Sequence, residues 1–300
     1  MTALTRAPRG NGAEHPTPSR GRRSWTGYLL LLPGALWLAL FFAVPIGSLI
    51  STSLYDPSGT LETGYRMAFE LGNYTDAIRT YATEIWRSLW YAGLATVFAL
   101  LLGYPLAYAI AFKAGRWKNL LLVLVIAPFF TSFLIRTLSW KLILADNGVV
   151  VDTLNFLHLP IPNGRLLDTS VAVVTGLTYN FLPFMVLPLY ASLEKIDHRL
   201  IEAAGDLYAS PFQGFRKVTL PLSMPGVVAG TLLTFIPAAG DFINKELLGS
   251  PQQTMIGNRI QGLFESGSYP AAAALSVTLM VLIVVMVIAY IRRAGTEDLL

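Results

Sequence analysis

The sequence predicts an all-α fold, a polytopic membrane bundle of six transmembrane helices, on three observations. Only 13% of the 300 residues are charged, whereas a water-soluble domain carries about 25%. Six apolar runs are each long enough to cross a bilayer, because a hydrocarbon core of about 30 Å takes about 20 residues at about 1.5 Å each. The 22 Lys and Arg are also unevenly spread: fourteen fall in the two tails and the second and fourth connections, six in the other connections and two inside a run. Basic residues collect on the cytoplasmic side of a membrane protein, so both termini are expected there.

The elements follow in order. Residues 1–24, MTALTRAPRGNGAEHPTPSRGRRS, are rich in Pro, Gly and Arg and are expected to be a disordered cytoplasmic tail. The apolar run behind them, 28–50, is too long for a signal-peptide core and shows no small-residue cleavage site. A first transmembrane helix at 25–50 therefore reads as an uncleaved anchor. An external loop is expected at 51–83. Further runs lie at 88–112, 120–144, 170–193, 218–237 and 271–291, ahead of a cytoplasmic tail at 292–300. The run at 218–237 is the weakest, since Pro225, Gly226 and Pro237 interrupt it. Pro33, Pro45, Pro105, Pro128, Pro183 and Pro188 also lie in or beside runs. Neighbouring helices can satisfy the backbone groups a proline frees, which suits a bundle of kinked helices.

Composition also narrows the chemistry. The chain has no cysteine, and its three histidines, His15, His158 and His198, are scattered. No metal site and no cofactor are expected. A membrane enzyme would need a nucleophile, base or metal constellation, and the runs offer none. An ion-coupled secondary transporter would carry ionisable residues at mid-membrane, where these runs hold almost none. A channel would be expected to show a filter or charged ring. The pI of about 9.3 is read as membrane topology rather than as a nucleic-acid footprint.

One passage departs from the oily pattern: IEAAGDLYASPFQGFRKVTLPLSMPG, residues 201–226. Ile196, Leu200, Ala203/Ala204 and Leu207/Tyr208 share one helical face, with Arg199, Glu202 and Asp206 on the other. Asp197 is a candidate N-cap. Ser210, Pro211 and Gln213 have the spacing of a capping box with proline at the first helical position. Two short helices joined at a sharp turn are expected on the cytoplasmic surface. The pattern fits a projection docking into a protein groove and equally an interfacial helix resting on headgroups.

The string EAAGDLYAS…F…VTLPLSMPG resembles the EAA motif of ABC-importer permeases, the inner-membrane components of binding-protein-dependent transport. Glu202-Ala203-Ala204, Val218, Leu220 and Pro221 fall at the family's spacing. Tyr208 stands where the family usually has glycine. Glycine takes positive φ readily and tyrosine does not, so the turn is expected one or two residues later, at Ser210-Pro211. The stretches 31–50, 129–140 (FFTSFLIRTLSW) and 240–264 further resemble spermidine/putrescine importer permeases, and one of their two permease halves in particular.

The resemblance implies a type I ABC importer permease fold, with the transmembrane permease domain at 84–291 and a cytoplasmic coupling loop at 194–217. Its ATPase-coupling residues would be Glu202, Ala203, Ala204, Gly205, Asp206, Tyr208, Ser210, Pro211, Leu220 and Pro221. The implied partners are a second homologous permease, an ABC ATPase dimer at the cytoplasmic face and an external solute-binding protein, all within or beside a bacterial inner membrane. No G-x-x-x-x-G-K-[ST] loop occurs in the chain, so ATP hydrolysis is expected on a separate subunit.

Polyamines are flexible polycations, for which carboxylates, carbonyls and aromatic faces are suitable contacts. Trp90, Trp140, Tyr179, Phe181 and Phe184 lie in or near runs, where packing and headgroup anchoring are their commoner roles. Arg136 would sit about 24 Å along a straight third span, near the outer end, and Asp241 closes the fifth. These two form either a pair that helps shut an outer gate or two separate interfacial charges. Ala145–Gly148, ADNG, reads as a tight turn.

Overall fold

The computed structural model describes residues 25–60, 62–158 and 164–294. The tail expected at 1–24 and the end of the C-terminal tail lie outside them. Packing divides the chain into two units, the first ending at Ser48 and the second starting at Leu49. The first unit is built on α1 (Trp25–Leu38), which runs through a π-turn at Ala39–Ala43 into α2 (Val44–Ser53). Leu29–Ser53 is long and apolar enough to cross a membrane, as expected for the first span.

The second unit is helical among its described residues, apart from isolated bridges in the 55–67 loop. Its long helices are α3 (Gly72–Phe112), α7 (Ser170–Glu194) and α14 (Tyr269–Ala294). Between them lie α4 (Lys118–Ile126), α5 (Phe133–Ile143), α6 (Val149–Phe156), α8 (His198–Asp206), α9 (Pro211–Gly214), α10 (Leu220–Leu222) and α11 (Met224–Ala239). Two more helices, α12 (Ile243–Leu248) and α13 (Ile256–Glu265), precede α14. Four helices can span a membrane as they stand, and two bent pairs bring the total to six, matching the expected bundle.

The core forms where α3 and α11 pack against α7. On α3 the small residues Ala92, Ala95, Ala99, Gly103 and Ala107 are all buried and recur every three or four positions. In a bilayer the lipid tails are as apolar as leucine, so helices associate by close packing, which small side chains allow. Gly226 and Gly230 do the same for α11. A Cβ on Gly226 would stand 2.7 Å from the Pro188 carbonyl oxygen, and one on Gly230 would stand 3.0 Å from that of Met185. The glycine that made the fifth run look weak is what seats it on α7. The G-x-x-x-G spacing was visible in the sequence.

Three expectations are corrected. Residues 72–83 are not loop but helical: the 41 residues of α3 form two helices joined across a kink at Tyr81, whose φ of -112° and ψ of 19° are non-helical. Residues 72–83 are too polar to count as a span, yet this part of α3 packs on α13. Ala77 joins Ile256 in the core there, Glu84 pairs with Arg259 at 3.0 Å, and Ser88 Oγ accepts from the Ile256 amide. The third span is not straight. It bends by 96° between a 3-10 turn ending at Phe130 and α5, because Thr131 and Ser132 adopt extended ψ values of 149° and 139°. Arg136 therefore lies in the first turn of a separate helix rather than near the end of a long one. The segment after α11 is also not a simple outer loop, since α12 reaches back to the middle of α7.

Candidate functional site

The polar segment after α7 forms a compact knob. Asp197 caps α8, its carboxylate accepting from the Arg199 amide at 3.0 Å. The capping box is present: the Ser210 amide donates to Gln213 Oε1 at 2.9 Å, and the Gln213 amide donates to Ser210 Oγ at 3.3 Å. Pro211 takes the first helical position of α9.

The turn between the two helices falls at Tyr208 rather than at Ser210-Pro211. Tyr208 has φ of 60°. The amide of Ala209 donates to the Ala204 carbonyl at 3.0 Å, and that of Tyr208 to the Gly205 carbonyl at 2.9 Å. This is the helix-ending pattern that places its third-from-last residue opposite the second residue beyond the cap, and it requires a left-handed residue at the position Tyr208 holds. Glycine suits that position best, but two closed hydrogen bonds outweigh the unfavourable dihedral.

The face assignment also changes. Ile196 is buried with Leu189 and Leu193, and Ile201 packs against them. Leu200, Leu207 and Tyr208 are exposed instead, as are Glu202, Ala203, Gly205 and Asp206. Ala204 is half-buried. The predicted apolar face is therefore split: Ile196 is held by the bundle, while Leu200, Leu207 and Tyr208 are left outward, open to a contact beyond the chain.

A ladder of rings fastens the knob to α3. Phe215 meets Tyr104 edge-on at 5.6 Å and Tyr108 at 6.3 Å, and His198 meets Phe112 edge-on at 5.2 Å. Tyr104, Tyr108 and Phe112 are four residues apart, so they line one side of α3. Sequence reasoning passed over this ladder, although that spacing was readable. Tyr104 Oη and Ser223 Oγ share a hydrogen bond of 2.7 Å, and Ser223 Oγ also contacts the Leu220 carbonyl. Leu220 and Pro221 begin α10, and the chain bends by 64° at Ser223, between Leu222 and the start of α11 at Met224. Lys118 and Glu194 are paired where α4 and α7 meet the knob.

The outer pair is not formed. Arg136 is buried and lies over the rings of Phe129 at 5.3 Å and Phe133 at 5.6 Å. It has no ion-pair partner among the described residues, and its Nε and Nη1 are without hydrogen bonds. Asp241, also buried, accepts from the Asn244 amide at 2.8 Å.

Between these two charges lies a cluster the sequence reading overlooked. Asn180, near the middle of α7, donates 3.0 Å hydrogen bonds to Thr137 Oγ1 on α5 and Asn244 Oδ1 on α12. Gly176 leaves room for it, since a Cβ there would stand 2.6 Å from Asn244 Oδ1. The triad ties α12 and α5 to the middle of α7. An asparagine inside an otherwise apolar run was the available signal. The turn at Ala145–Gly148 is closed as expected, by a 2.7 Å hydrogen bond from Gly148 to Ala145.

Known proteins resemble this chain in sequence and fold. Residues 64–293 match the model of the family described as binding-protein-dependent transport system inner membrane component. The spermidine/putrescine transport system permease protein PotB of Haemophilus influenzae is 39% identical over 274 residues, 90% of each chain. PotB of Escherichia coli is 39% identical over 260 residues, covering 86% of this chain and 94% of the other. A chain in the crystal structure of a bacterial alginate ABC transporter, in complex with an alginate-bound periplasmic protein, superposes with a TM-score of 0.69. That likeness covers 89% of this chain and 92% of that one at 20% identity, and concerns the fold alone. The chain belongs to the family of binding-protein-dependent transport system inner membrane components.

Proposed function

We propose that the chain is one pore-forming half of an ATP-driven ABC importer for polyamines of the spermidine/putrescine class. It works beside a second, homologous permease, above an ABC ATPase dimer and below an external solute-binding protein. Both termini and the knob at 194–217 face the cytoplasm. The polyamine class is supported by the two PotB relatives, each 39% identical to this chain and each a spermidine/putrescine transport system permease protein. A separate ATPase is supported by the absence of a phosphate-cradling loop from the sequence.

One observation carries the mechanism: the knob is exposed at its tip and pinned at its base. Its exposed residues, from Glu202 to Pro211, make the contact with the ATPase. Closure of the nucleotide sites displaces the tip. Phe215 and His198 pass the displacement to α3, and the bend at Ser223 passes it to α11. Because both helices pack on α7, the spans re-tilt together and access alternates between the two sides. The Arg136–Asp241 gate is left out of this scheme, since Asp241 is already engaged by the Asn244 amide.

The test is Glu202→Lys in the importer reconstituted from both permeases, the ATPase dimer and the solute-binding protein, with co-purification of the ATPase and ATP-dependent spermidine uptake as readouts. Each is expected to fall at least about tenfold, as for charge reversal at an interface. Normal values for both would make Glu202 a solvated surface residue and overturn the coupling scheme.

A further inference from the structure

Tyr208 is the most exposed large side chain of the knob, at 98%, and it has the wrong backbone for its type. An L-residue with a bulky side chain is disfavoured at φ of 60° relative to glycine, because its Cβ crowds the neighbouring carbonyl oxygen. Among the described residues nothing offsets that cost through the side chain. The ring enters no aromatic pair or hydrogen bond among the described residues, and the hydrogen bonds closing the turn are made by backbone alone. Leu207 beside it is 81% exposed and Phe212 across the turn 70%. Three large apolar side chains thus cluster at the tip, while Ile196 and Ile201 hold the base.

The surrounding charge separates a protein socket from a lipid surface. Anionic headgroups attract Lys and Arg and repel carboxylates. Asp206 and Glu202 share the helix that ends at Tyr208, with Arg199 at its far end. The basic neighbours Arg216 and Lys217 lie in the π-turn where the segment rejoins the bundle. An aromatic tip bordered by acids suits an apolar recess rimmed by basic groups.

We infer that Tyr208 is the anchor by which this permease holds and selects its ATPase subunit, the phenol ring filling such a recess. This rests on the reading of the knob given above. Exposed aromatic anchors of this kind carry a large share of an interface's binding energy, which accounts for a tyrosine at a position where glycine would serve the fold better.

The experiment compares Tyr208→Gly, Tyr208→Phe and Glu202→Lys in the permease pair embedded in nanodiscs, titrated with its purified ATPase subunit. Tyr208→Gly is expected to weaken association at least about tenfold while making the 207–210 turn more resistant to proteolysis, two effects of opposite sign. Tyr208→Phe is expected to keep association within about threefold of the parent, because the ring fills the recess. If Tyr208→Gly binds the ATPase like the parent while Glu202→Lys does not, the anchor is wrong and the coupling scheme survives. If both bind normally, anchor and scheme fall together.

Discussion

The knob after α7 and the asparagine cluster inside the bundle are two places where this oily chain turns polar, and they use polarity in opposite ways. In the knob, backbone groups are closed locally by a cap, a capping box and a left-handed turn. Its charged side chains, among them Glu202 and Asp206, remain in water. In the cluster no backbone closure of that kind holds the pieces; Thr137, Asn180 and Asn244, each almost fully buried, join three helices through side chains. The cluster is uncharged, and the nearby guanidinium of Arg136 is met by rings rather than by an anion. Polarity at the knob can be changed at little cost to folding and shows itself in association. Polarity in the cluster is bound up with the fold.

The largest effect that would break this contrast is at Asn180. Asn180→Ala leaves Thr137 Oγ1 and Asn244 Oδ1 without their donor. Two hydrogen bonds between membrane helices, at about 1 kcal/mol each, are lost. Thermal unfolding in detergent should show about 2 kcal/mol of destabilisation, with ATPase association of the folded fraction unchanged. Unaltered stability together with lost association would reverse the roles assigned to the two regions.

A second change addresses the join between knob and bundle. Phe215→Leu keeps an apolar side chain but removes the edge-on contacts with Tyr104 and Tyr108. Aromatic pairs contribute about 0.5–1.5 kcal/mol beyond their buried area. ATP-dependent uptake is expected to fall about fivefold, the equivalent of about 1 kcal/mol, while ATPase binding stays normal. Uptake at the parent level would reduce the ladder to ordinary packing.

The two regions also differ in how far the sequence discloses them. Apolar runs are a local property, so all six spans could be read from 28–50 onward, and capping chemistry is local too, so Asp197 and the Ser210–Gln213 box were readable. The break in the third span was not, because FFTSFLIR is apolar on both sides of Thr131-Ser132 and only backbone dihedrals reveal the bend. The start of α3 was missed for the opposite reason: residues 72–87 are polar, and their helix is fixed by contact with α13, some 170 positions away in sequence. The cluster joins Asn180 to Thr137 and Asn244 across gaps of 43 and 64 residues, and no local pattern encodes such a meeting. At Tyr208 local propensity argued for a later turn, and the closing hydrogen bonds of α8 decided otherwise.

The smallest expected effect is the most exacting test of the knob as a self-closed unit. Ser210→Ala removes the hydroxyl that accepts from the Gln213 amide but leaves the Gln213 side chain free to accept from the Ser210 amide. Half of the capping box survives, and the freed amide is at an exposed position where water can replace the lost partner. The cost therefore belongs at the low end of N-cap losses, about 0.5 kcal/mol. Global unfolding should not register it, since the knob's helices add little to the core around α7. Hydrogen exchange at the Gln213 amide should rise about twofold, the factor that corresponds to so small a loss, with exchange on α7 unchanged. Faster exchange along α7 as well would mean that knob and core open together, and the separation drawn between the two polar regions would fail.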